Sequence, residues 1–238
     1  MITTQRSSQR TATAGPGHRT ATPAIAFLGT GGMGGPMAAN LARAGFRVQA
    51  WDRTASQAAA LVKDGATTAA SPAEAIKGAQ ILITMLADGP ATDQVWDGPD
   101  GLAAAGPGLI WVQMATVGIE WTQRFANTAG RYGVHFFDAP VCGPAQAGEL
   151  TILASGPQWM AEDVAPVFAA LGRATAWLGP AGNGTRAKLV LDNWLADLTK
   201  TTTEALSFAR QLDLDPALIL DLLESTPRPQ PGVTADAG

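Results

Sequence analysis

The sequence predicts an α/β fold: a doubly wound, mostly parallel sheet, followed by a long helix and a partial all-α C-terminal domain. Three observations predict it. Short apolar runs alternate with stretches of helical periodicity, which implies right-handed βαβ units. The turn Gly29-Thr30-Gly31-Gly32-Met33-Gly34 joins the first apolar run to the first helix. From 185 to 212 nothing breaks the helical pattern, and a helix that long usually bridges two domains or packs into a bundle.

The first strand is expected at 24–28, apolar throughout, as for a strand buried on both faces. Met33, Met37 and Leu41 then recur at helical spacing, and Gly45 is placed to end that helix. A second strand at 47–51 carries Asp52, Arg53 and Thr54 at its end. Thr54 and Gln57 have capping-box spacing and would open a helix through Lys63, stopped by Gly65. Ser71-Pro72-Ala73-Glu74 is a second box, with proline at the first helical position. A strand at 80–85, a loop at Asp88-Gly89-Pro90 and a short helix at 91–96 follow. Next come a strand at 109–114, a helix at 119–131 and a strand at 134–138. Strands at 150–154 and 175–178 flank a helix at 160–171. A second glycine loop at 179–184 precedes the long helix, where Leu189, Trp194, Leu198, Leu206 and Phe208 are candidate buried positions. Asp215-Pro216 opens a last helix to about 223, and Pro227, Pro229 and Pro231 end regular structure.

Residues 1–23 are rich in Thr, Ser, Gln and Gly, with Arg6, Arg10 and Arg19 and no acid. Such a segment cannot bury enough apolar area to order itself, so a disordered extension is expected. It is Arg-rich like a transit peptide but has no amphipathic period. The expected organisation is a dinucleotide-binding domain at 24–184, an interdomain helix with a truncated helical domain at 185–226, and a disordered tail at 227–238. Charged residues make up 15% and hydrophobic ones 46%, which is enough for a sizeable core. The net charge of −4 and the lack of a basic stripe argue against nucleic-acid binding. Cys142 is the only cysteine, which rules out an internal disulfide and points to a reducing cytoplasm. No apolar stretch reaches the length of a membrane span.

Gly29, Gly31 and Gly34 fall in the G-x-G-x-x-G spacing of a Rossmann-type corner. The first permits a tight turn, the second lets a pyrophosphate approach the backbone, and the third lets the helix sit close on the strand. The helix's free N–H groups and dipole would face the phosphates. Asp52 stands where a carboxylate accepts from an adenosine ribose, which favours NAD. Arg53 and Thr54 beside it suit a 2′-phosphate, which favours NADP. The two signals conflict, and the cofactor is expected to be NADP or NAD. Lys188, just after the second glycine loop, is the acid–base candidate. The helix dipole and apolar neighbours both disfavour its charged form, which suits it to exchange a proton with a substrate oxygen. His18 lies in the N-terminal extension and His135 in an apolar strand, so neither suggests a Ser-His-Asp triad. No His/Cys cluster suggests a metal.

Four ordered blocks make the chain resemble the β-hydroxyacid dehydrogenase family. They are 27–41, Ile83-Thr84-Met85-Leu86-Ala87, Asp138-Ala139-Pro140-Val141-Cys142-Gly143 and Gly182-Asn183-Gly184-Thr185-Arg186-Ala187-Lys188. The family includes 3-hydroxyisobutyrate dehydrogenase, and 6-phosphogluconate dehydrogenase shares its NADP-binding domain. The resemblance implies that Leu86 and Ala87 line the adenosine side and that Thr116 lies near the nicotinamide. It also implies that Cys142, Gly143 and Asp192 contact a small carboxylate substrate and that Lys188 is catalytic. Cys142 stands where many members have Ser, and Asp192 where they have Asn. An ion pair from Asp192 would hold the lysine charged. The family continues with further helices that this sequence lacks, and it commonly forms homodimers through them. The expected activity is hydride transfer between nicotinamide and a small 3-hydroxy acid or its semialdehyde. A dinucleotide-binding protein without turnover is the alternative. An imine reductase is a third possibility, though that group generally lacks the lysine.

Overall fold

The computed structural model describes residues 22–97, 105–144 and 148–226. The expected extension, up to residue 21, and the expected tail at 227–238 lie outside them. The chain divides into two compact units, Met1–Leu189 and Val190–Gly238.

The first unit opens with β1 (Ala24–Leu28), α1 (Gly34–Arg43) and β2 (Arg47–Trp51), then α2 (Ala55–Ala59), a 3₁₀ turn and β3 (Thr67–Thr68). It continues with α3 (Pro72–Ile76), β4 (Ile81–Thr84), α4 (Gly89–Asp97), β5 (Ile110–Gln113), α5 (Ile119–Arg131) and β6 (His135–Asp138). These six strands form one sheet in the order β3-β2-β1-β4-β5-β6, parallel throughout. A smaller sheet holds β7 (Val141–Cys142), β8 (Leu150–Ala154) and β9 (Gly172–Trp177), with α6 (Ala161–Leu171) between the last two. Asp138 at the end of β6 bridges to Ser155 beyond β8 and so links the sheets.

Strand alternation sorts the core onto two faces. Ile25, Phe27, Ile81, Ile83 and Val112 point one way, against Met37 and Leu41 of α1 and Val167 and Phe168 of α6. Ala26, Leu28, Leu82 and Trp111 point the other way, against Ile76, Trp96 and Phe125 from α3, α4 and α5. Helices thus cover both faces of a parallel sheet, as the continuous apolar strands require.

Several details differ from expectation. Thr54 makes no capping bond through its side chain; its N–H is taken by Asp52, and α2 ends at Ala59. The second box forms in its Ser71 half: Ser71 Oγ accepts from Glu74 N at 3.2 Å, while the Glu74 carboxylate accepts from Ala70 N, one residue before the N-cap. α4 starts at Gly89 because Asp88 accepts from Ala91 N at 2.7 Å and caps it. Strands β3 and β7, two residues each, were not expected.

The long helix α7 runs Asn183–Gln211, and the unit boundary falls within it. In the second unit α8 (Pro216–Ser225) follows, capped by Asp215, which accepts from Ala217 N. Of the candidate buried positions, Leu198 and Leu206 are half-buried, while Leu189, Trp194 and Phe208 are exposed. Two helices offer too few partners to cover so many apolar side chains.

Candidate functional site

In the β1–α1 corner Gly29 and Gly34 stand where no side chain would fit. Gly29 has φ +95°, and a Cβ on it would meet the Met85 carbonyl. A Cβ on Gly34 would run into the Gly29 carbonyl oxygen. A Cβ on Gly31 would meet nothing nearer than Gln57 Oε1 at 4.0 Å. Met33, at the N-cap of α1, makes no capping bond through its side chain, so the first-turn amides carry no cap of that kind.

Asp52 ties this corner to β2. Its Oδ2 accepts from Thr30 N at 2.7 Å and from Thr30 Oγ1 at 3.3 Å, and its Oδ1 accepts from Thr54 N at 2.8 Å. The buried Thr30 is therefore a support for Asp52 as well as part of the turn. A cleft of about 720 Å³ opens here, lined by Gly29, Gly31, Gly32, Met33, Gly34, Asp52, Arg53, Thr54, Leu86 and Ala87. It lies beyond the carboxyl ends of β1, β2 and β4, where the strand order reverses, the usual ligand position in open α/β sheets. The sequence reading missed Trp51, Gln57, Pro72, Met85, Gln94 and Val95, which also line the cleft. Trp51 and Met85 could have been found as the residues at the ends of β2 and β4.

The other expected site residues are not part of this lining. Thr116 is exposed just beyond β5. Cys142 is half-buried on β7, and Gly143 follows it with φ +102°. Lys188 is half-buried on α7. Because α7 starts at Asn183, Lys188 stands in its second turn and not in its first, where the dipole's field is weaker. Asp192 lies past the boundary, in the second unit.

A cluster that the sequence reading did not single out sits at the start of α7. Asp138, fully buried, accepts from Thr185 N (Oδ2) and Thr185 Oγ1 (Oδ1), both at 2.7 Å. Ser155 Oγ lies 3.2 Å from Asp138 Oδ2 and accepts from Gly184 N at 2.9 Å. Thr122 Oγ1 of α5 lies 3.1 Å from Thr185 Oγ1. Burial pushes the Asp138 carboxyl above the ordinary carboxylate range, against the opposing pull of the Thr185 and Ser155 bonds. Among the described residues no group of His, Cys, Asp and Glu is arranged to hold a metal.

The corner fits a dinucleotide. Its backbone is bare where a diphosphate would lie, the helix amides there have no side-chain cap, and the cleft has room for an adenosine. Residues 24–179 match the family described as the NAD binding domain of 6-phosphogluconate dehydrogenase. A glyoxylate/succinic semialdehyde reductase of Arabidopsis thaliana is 35% identical over 84% of this chain and 71% of its own length. A 3-hydroxyisobutyrate dehydrogenase of Pseudomonas aeruginosa is 36% identical over 85% of this chain and 69% of its own. The 3-hydroxyisobutyrate dehydrogenase of Mycobacterium tuberculosis, solved with L-serine, superposes with a TM-score of 0.81 at 28% identity, covering 90% of this chain and 74% of that one. The cofactor is therefore NAD or NADP, and the chain belongs to the β-hydroxyacid dehydrogenase family.

Proposed function

We infer that the protein is an NAD(P)-dependent oxidoreductase that moves a hydride between nicotinamide and a small 3-hydroxy acid or its semialdehyde. The observation that carries this is the bare-backbone corner opening into the cleft at the strand-order reversal. The names of its relatives support the substrate class. A bound nicotinamide supplies or accepts the hydride. The bare glycine turn at the start of α1 holds the diphosphate, Leu86 and Ala87 line the adenosine side, and Thr116 attends the nicotinamide. Lys188 gives a proton to the substrate oxygen during reduction and takes it back during oxidation. Cys142 and Gly143 contact the substrate carboxylate, with Asp192 beside the lysine on the same helical face. The presence of Lys188 favours this reading over imine reduction.

NADP is the preferred cofactor in this reading. The charge of Asp52 is already answered by three donors from Thr30 and Thr54, while Arg53 is exposed on the cleft wall. The apolar side chains exposed on α7 and α8, Phe208 and Leu218 among them, support a homodimer built through the helical region. The lone Cys142 supports a cytoplasmic setting. No helix among the described residues is long and apolar enough to cross a membrane.

The test is turnover of glyoxylate, succinic semialdehyde and 3-hydroxyisobutyrate with each cofactor, in the wild type and in Lys188→Ala. The variant should lose about 10²–10⁴-fold in kcat while keeping its dinucleotide affinity. Equal turnover in the two proteins refutes the lysine's role. Dinucleotide binding with no turnover of any of these substrates makes the chain a binding protein.

A further inference from the structure

Asp138 is a buried carboxylate that the hydride and proton steps do not use. It caps a helix, but not in the way the other helices are capped. α3 and α8 take their caps from Ser71 and Asp215, the residues immediately before them. A local cap of that kind stabilises a helix whichever way the helix lies. The second and third residues of α7, Gly184 and Thr185, instead give their N–H groups to Ser155 and Asp138, 29 and 47 residues away. Both acceptors belong to the point where the two sheets meet. The Thr185 hydroxyl adds a further bond to Asp138, and Thr122 of α5 stands behind it. The packing leaves no slack: a Cβ on Gly184 would strike the Leu153 and Asp138 carbonyl oxygens. These contacts fix the rotation of α7 about its own axis as well as its position. Lys188 is one turn on from Thr185, on the same helical face.

We propose that Asp138 is a positioning residue, whose carboxylate holds the first turn of α7 against β6 and so sets the direction in which Lys188 points. This rests on the reading of Lys188 as the residue that handles the proton. It also explains why an acid is kept in the interior, where a neutral local cap would stabilise the helix at lower cost.

Reductive methylation with carbon-13 marks the lysines at 63, 77, 188 and 200, and Lys188→Arg assigns the signal of interest. In the wild-type protein the Lys188 signal should shift on saturation with NADP⁺. In Asp138→Ala at least half of that shift should be lost, with the NADP⁺ Kd within about threefold of wild type. Asp138→Asn should restore it: the amide oxygen can accept from Thr185 N and the amide nitrogen can donate to Thr185 Oγ1, which turns its own hydrogen to Thr122. In turnover, Asp138→Ala combined with Lys188→Ala should be no slower than Lys188→Ala alone. An undiminished shift in Asp138→Ala overturns the proposal and leaves the lysine's role standing. No shift in the wild type overturns both. Should Asp138→Ala fail to fold, Thr185→Ala removes one of the three bonds and should still diminish the shift; an unchanged shift there also overturns the proposal.

Discussion

The two helix N-termini that matter here, those of α1 and α7, are finished in opposite ways. Both follow a glycine turn at the end of a strand; at α1 Gly35 N is already given to Gly31 O at 2.8 Å and Pro36 has no N–H, so what that end offers a ligand is the bare backbone of the turn itself. At α1 no side chain caps the helix, and the turn is stripped to backbone by Gly29, Gly31 and Gly34. At α7 the protein brings its own carboxylate, Asp138, and buries it completely. The difference separates two uses of one local field. An end left open can receive a phosphate that comes and goes. An end filled by a fixed anion cannot bind such a ligand, but it gains an orientation.

The comparison can be broken by making α1 resemble α7. Gly31→Asp places a carboxylate at the open end, in space that accepts a side chain. Dinucleotide affinity should fall by about 1000-fold, roughly 4 kcal/mol, with the melting temperature little changed. A titration showing near wild-type binding would mean that the corner does not hold the phosphates. Gly34→Ala attacks the same end through its backbone, since the added Cβ meets Gly29 O. About a 100-fold loss of affinity is expected, accompanied by a lower melting temperature. Arg53→Ala sharpens the picture on the cofactor side. NADPH affinity should fall about tenfold and NADH affinity hardly at all; equal losses would exclude a 2′-phosphate contact.

The smallest effect concerns the filled end. The folded Asp138 carboxyl titrates above its unfolded value, so as pH falls the native state takes up that proton first. Stability therefore rises on acidification across the window between the folded and unfolded values, and the gain is complete below the unfolded one. Asp138→Asn has no such slope. Urea melts from about pH 7 to about pH 4 should show the wild type gaining on the variant as pH drops. A constant difference would mean that burial does not govern this carboxyl.

Much of the open end was legible in the sequence, and almost none of the filled one. The strands 24–28 and 47–51, the helix 119–131 and the glycine corner stand as expected, because apolar runs and glycines act on their immediate neighbours. Thr54 and Gln57 had the right spacing for a box, but Asp52, two residues before Thr54, captured its N–H, and spacing alone cannot show such a competitor. Strands β3 and β7 are too short to display a period. Asp138 appeared only as the first letter of a family block. Its partners Ser155 and Thr185 lie 17 and 47 residues further on, and only the meeting of two sheets brings them together.

Strand β1 is the first regular element of the described chain and lies in the middle of its sheet, between β2 and β4. During synthesis it leaves the ribosome before either neighbour has emerged. One flank closes when residues 47–51 emerge, and the other must wait for 81–84. Until then Ile25, Phe27 and Leu28 have no complete shelter, which leaves this strand open to a chaperone that meets the nascent protein.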